Sequence, residues 1–168
     1  MSYLIKLLDR IAIISGKMIS WATLFMVLVL SVNVISSWMF EVSSILMSES
    51  ITWMHSANFL LAAAYTLNQD DHVRVDIFYA KMSIKGKAIV DLTGTVLLLI
   101  PVSVFIIWSS WSYVLLSWRI NEVSVEAGGM PATFILKSFL LVMPVLLLIE
   151  GLKQLITNLE VIICKEAK

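Results

Sequence analysis

Residues 18–40 read MISWATLFMVLVLSVNVISSWMF, and no position in that run carries a charge. As a helix the run is about 34 Å long, enough to cross a hydrocarbon core of about 30 Å. Three further apolar stretches follow, at about 51–67, 88–118 and 132–152, the last continuing towards Ile163. The second is shorter and holds His55 and Asn58. The third exceeds the bilayer thickness, so it is expected to tilt or to project from the lipid. Pro101 and Pro144 each remove a backbone donor inside a span and are expected to kink it. In residues 1–17, Leu4, Leu7, Leu8 and Ile11 recur at helical spacing. That segment reads either as an amphipathic lead-in along the membrane surface or as an extension of the first helix. Lys6, Asp9, Arg10 and Lys17 interrupt it, and no small-x-small site ends the run that follows, so a cleaved signal is not expected.

Composition agrees with lipid as the solvent. Of the 168 residues, 60% are hydrophobic and only 14% charged, against about a quarter in soluble domains. The formal net charge is zero and no basic tract occurs, so no nucleic-acid partner is expected. A single cysteine, Cys164, excludes an internal disulfide. The twelve basic residues set the orientation. Lys6, Arg10 and Lys17 precede the first span, Arg74, Lys81, Lys85 and Lys87 lie between the second and third, and Lys153, Lys165 and Lys168 come late. Only Arg119 and Lys137 fall on the other side. The positive-inside rule therefore places both termini and the central loop in the cytoplasm of a bacterial inner membrane. Trp38, Trp53, Trp108, Trp111 and Trp118 gather towards the outer ends of spans one to three, as an aromatic belt would. The expected fold is all-α: one membrane domain over 1–168, four transmembrane helices, long tilted helices and amphipathic interfacial segments.

Four polar patterns stand out. Asp70-Asp71-His72-Val73-Arg74-Val75-Asp76 follows span two directly, as a solvated loop or as a polar knot that turns the chain. Glu122-Val123-Ser124-Val125-Glu126-Ala127-Gly128-Gly129-Met130-Pro131 precedes span four. There the glycines permit a sharp turn and Pro131 suits a first helical turn. Lys137, inside that helix, needs to snorkel or to pair with Glu122 or Glu126. Glu49 and Trp53, four apart, share a face at the outer start of span two. His55 is read as a structural histidine against another helix. Asp91 and Glu150 sit near the inner ends of spans three and four, beside Lys87 and Lys153, where ion pairs or snorkelling to the interface explain them. Small and hydroxylated positions, Ser31, Ser36, Ala62, Ala63, Gly94 and Ser103, are the expected helix contacts. No nucleophile–base pair, P-loop or paired histidine ligands occur, so no enzymatic activity and no cofactor are expected, and phospholipids are the surrounding partners.

The chain resembles the small permease (Q) subunit of tripartite ATP-independent periplasmic (TRAP) transporters. The similarity rests on Ala62-Ala63-Ala64-Tyr65-Thr66-Leu67, then His72-Val73-Arg74-Val75-Asp76, then Trp118 with Glu122-Val123-Ser124, Gly128-Gly129-Met130-Pro131-Ala132 and Lys137. The outer-loop pattern is similar to the branch labelled for mannitol, chloroaromatic or 2-oxo-acid uptake. The resemblance implies a large membrane subunit that holds the sodium and substrate sites and moves as an elevator. A periplasmic substrate-binding protein delivers an organic acid, and this chain braces the fixed scaffold. It further implies that His72, Arg74 and Asp76 organise the cytoplasmic end. Glu122, Pro131 and Lys137 would shape the loop facing the binding protein. Glu150 departs from the family pattern, where an uncharged glutamine is common. The alternative from another class is a haem- or quinone-linked membrane anchor of a redox enzyme, for which His55 is the one available intramembrane ligand.

Overall fold

The computed structural model describes residues 2–69 and 79–164, and all regular structure among them is helical. Helix α1 spans Ser2–Phe40 and α2 spans Ile45–Asn68. Helix α3 (Ile84–Gly94) passes through a π-helical turn (Thr95–Leu99) into α4 (Ile100–Arg119), and α5 spans Thr133–Cys164. Three stretches are long and apolar enough to cross a membrane: Ile19–Phe40, Ile84–Arg119 and Thr133–Ile163. Helix α2 is not among them, because Ser48, Glu49, Ser50, Thr52, His55, Ser56 and Asn58 dilute its apolar character.

The helix ends follow local chemistry. Ser44 caps α2 by accepting a hydrogen bond from the Met47 N–H, so α2 starts six residues before its apolar stretch. Ser83 caps α3 in the same way through the Gly86 N–H. Residues 2–17 continue α1 as one unbroken helix, the second of the two readings offered for them. Pro131 lies in the turn two residues ahead of α5 and not in its first turn, a correction to the sequence expectation. At Pro101 the chain meets the ring with a widened turn. The Ile100 N–H donates to the Thr95 carbonyl five residues back. A proline ring crowds the carbonyl four positions before it, here that of Leu97, and a π-turn just ahead gives it room.

The helices form a row and not a bundle. Helix α1 packs on α2, α2 also packs on α5, and α5 packs along α3, the π-turn and α4. Among the described residues α1 barely meets α5, and α3–α4 has no substantial packing on α1 or α2. The order across the row is therefore α1, α2, α5, α3–α4. Little is buried in such a layer: Ala64, Ala88, Val114, Thr95, Ser103, Ser117, Pro144, Gly151 and Glu150. Most are small, as expected where helix backbones approach closely in lipid. Of the contact positions read from the sequence, Ser103 is buried, whereas Ser31 is exposed and Gly94 has nothing within 4 Å of an added Cβ. The α1–α2 seam is held by polar bonds, Asn33 Nδ2 to Ser48 Oγ at 3.2 Å and Asn58 Nδ2 to Thr23 Oγ1 at 3.0 Å.

Candidate functional site

The α1–α2 connection and the loop before α5 lie at one end of the row, where the chain folds residues 120–132 over the start of α2. Glu49, one turn into α2, is the anchor. Its carboxylate accepts hydrogen bonds from the Ser124 hydroxyl and from the Met130 N–H at 2.5 Å. Ser124 also accepts from the Glu126 N–H at 3.1 Å, and its own N–H donates to the Met130 carbonyl at 3.0 Å. The loop is thus closed on itself and pinned to α2 through one carboxylate. Gly128 adopts a φ of +81°, the left-handed region that favours glycine. Gly129 is required for a different reason: an added Cβ would lie 2.5 Å from Ser124 Oγ and 2.7 Å from a Glu49 oxygen.

A second clasp joins the loop to the helices behind it. Lys137 Nζ reaches both oxygens of Glu122, at 2.6 and 2.5 Å, and sits 4.1 Å from the centre of the Tyr113 ring. Of the two glutamates open to Lys137 in the sequence, the structure selects Glu122. Beside it, the Trp118 ring meets Phe134 edge-on with centroids 4.7 Å apart, and its Nε1 donates to Ser138 Oγ at 2.8 Å. Trp118→Phe keeps the ring contact and loses that hydrogen bond. It is expected to cost about 1 kcal/mol, read by unfolding in detergent, with Trp118→Ala costing more. Trp53 joins Glu49, Glu122, Ser124 and Thr133 around a shallow cleft of about 230 Å³. Val125, at the loop's tip, is 99% exposed.

Both glutamates lie outside the apolar stretches and hold their protons weakly. The Ser124 hydroxyl, then the Met130 amide, lowers the pKa of Glu49; the Lys137 ammonium is the chief cause for Glu122. A carboxylate whose folded pKa lies below its unfolded value stabilises the fold above the ordinary carboxylate range. That contribution is lost as pH falls through the folded value. Thermal stability in detergent is therefore expected to hold from neutral pH to about pH 5 and to fall below about pH 4. Glu49→Gln should shrink that acid limb.

The candidates Glu49, Trp53, Trp118, Glu122, Gly128, Gly129, Pro131 and Lys137 all lie at this end. His72, Arg74 and Asp76 fall outside the described residues. Sequence reasoning missed the roles of Ser124 and Tyr113; a hydroxyl flanked by two glutamates was the available signal for Ser124. His55 is exposed and makes no hydrogen bond among the described residues. At the opposite end Glu150, only 3% exposed, pairs with Lys153 at 3.0 Å and accepts from Asn68 Nδ2 at 3.1 Å. Asp91 accepts from the Tyr79 hydroxyl at 2.6 Å, while Lys87 lies 5.0 Å from the centre of that tyrosine ring.

Among the described residues, three helices long and apolar enough to cross a membrane, packed in a layer, mark a membrane protein. Residues 26–161 match the family described as tripartite ATP-independent periplasmic transporters, DctQ component, and the chain belongs to that family. It is a small permease subunit of a TRAP transporter of the inner membrane. The family works with a large membrane subunit and a binding protein. No curated protein and no solved structure matches the chain. The redox-anchor alternative finds no support in this match.

Proposed function

We propose that this chain is the stationary brace of a sodium-driven uptake system for organic acids, with no catalytic residue of its own. In this reading it crosses the membrane four times, with both termini in the cytoplasm. The observation that carries the reading is the row of helices: a layer one helix thick leaves two broad apolar faces, one of which a large partner covers. The fourth crossing is α2, whose 24 residues span about 36 Å between two membrane-spanning neighbours, longer than a hydrocarbon core of about 30 Å, so its first turn and Glu49 stand at the interface. Its polar side chains are largely paired on α1 or on its own carbonyls, which lowers their cost in lipid. The ten-to-two division of basic residues supports the orientation. The pinned loop then faces outwards, and we assign it to the docking surface of the binding protein, with sodium and substrate held by the large subunit.

The test is affinity purification of the tagged chain from its native membranes. Co-purification of one large many-span subunit, with sodium-dependent uptake of an organic acid by the reconstituted pair once its binding protein is added, is the expected result. Recovery of a flavin or iron–sulfur enzyme instead would overturn the reading.

A further inference from the structure

A groove of about 710 Å³ runs between α5 and the α3–α4 helix at the end of the row opposite the pinned loop. Its lining changes character along its length. Asn68, Asp91, Glu150, Lys153, Gln154 and Thr157 line one end, and Leu98, Leu99, Val102, Ile106 and Leu147 the other. Glu150 lies about 26 Å along α5 from its start, so the polar end falls near the far edge of a hydrocarbon core of about 30 Å. Between Asp91 and Ile106 the wall is about 22 Å long, more than the depth of one leaflet, about 15 Å. Val90, Leu98 and Val102 are exposed, so the groove opens sideways into the lipid.

Among the described residues the charges at the polar end are two carboxylates, Asp91 and Glu150, and one ammonium, Lys153. Lys153 is already engaged with Glu150. Tyr79 occupies one oxygen of Asp91, and the other has no hydrogen bond among the described residues. Lys87 stands over the Tyr79 ring and does not line the groove. Among the described residues the lining carries more negative than positive charge, so a headgroup ending in an amine is matched.

We propose that this groove is a binding site for one aminophospholipid, its amine at the open oxygen of Asp91 and one acyl chain along Leu98, Val102 and Ile106. The lipid would fill the space that the π-turn and Gly94 leave beside α5, and so complete the contact between the third and fourth membrane helices. This inference rests on the helices lying in a membrane and not on the transporter reading.

The experiment uses the complex purified in mild detergent, stripped of lipid and titrated with phosphatidylethanolamine or phosphatidylglycerol, with adducts counted by native mass spectrometry. One phosphatidylethanolamine per chain, bound several-fold tighter than phosphatidylglycerol, is expected. Gly94→Phe places a ring in the groove from a position with no neighbour within 4 Å, and should abolish the adduct while leaving the complex intact. Asp91→Asn should erase the headgroup preference. Equal binding of both lipids, an adduct that survives Gly94→Phe, or no adduct at all would each overturn the proposal. The last is the result if a helix of the partner fills the groove.

Discussion

Replacing Gly129 with valine is expected to detach the loop of residues 120–132 from α2. Even the first added carbon would lie 2.5 Å from Ser124 Oγ, 2.7 Å from Ser124 Cβ and 2.7 Å from a Glu49 oxygen. None of these atoms can yield freely, because Ser124 and Glu49 bind each other and Glu49 also holds the Met130 amide. Relief requires that the pin open. Overpacking of this kind costs about 1–3 kcal/mol. The broken pin adds to it, so the substitution should be among the most damaging in the loop. Gly128→Ala is the informative comparison: nothing lies within 4 Å of its added Cβ, and its cost is the left-handed backbone alone, about 1–2 kcal/mol. Unfolding midpoints in detergent should rank wild type above Gly128→Ala and that above Gly129→Val. A Gly129→Val protein as stable as wild type would show that the pin does not hold the loop in solution.

The second large effect is expected at Gly151. It is buried where α5 crosses the π-turn, and an added Cβ would meet Leu99 Cδ2 at 2.6 Å and Thr95 Cγ2 at 3.4 Å. Alanine is tolerable if the Leu99 side chain swings aside. Leucine cannot fit without separating α5 from the α3–α4 helix. The Glu150 side chain next to it ties Asn68 at the end of α2, so that tie is strained by the same separation. Gly151→Leu should lower the yield of folded chain severalfold, read by size-exclusion profile after extraction. Gly94, across the same crossing, has open space and lies in a helix; Gly94→Ala should be neutral or stabilise by up to about 1 kcal/mol. Equal behaviour of Gly94→Ala and Gly151→Leu would refute the packing assigned to this crossing.

What the sequence made legible was whatever depends on composition along one helix. The charge-free run at 18–40, the long third stretch and the continuation of the last helix to Cys164 follow from apolar length alone. The start of α2 was not legible that way, because Ser48, Glu49 and Ser50 look like loop until Ser44 is recognised as the cap. Glu49 was noticed for its place near a helix start, which explains a charge there but not the loop bound to it 75 and 81 residues later. Lys137 announced its need for a carboxylate, and two candidates were in reach; the folded path of residues 120–132 selects between them. The π-turn had a sign in Pro101, read as a kink because a proline's demand for space does not say how the chain supplies it. The order of the helices in the row had no sign at all, since four apolar helices can pack as a layer or as a bundle with the same pattern.

That layer also bears on how many copies of this chain a cell keeps. A protein that buries so few side chains has little interior of its own with which to resist membrane proteases, and its lifetime is lent by what it sits against. Copies made in excess should be cleared while assembled ones persist, so that the amount of the subunit follows its partner without matched synthesis. Pulse-chase labelling with and without the large subunit would read this directly, and an equally long-lived orphan chain would argue against it.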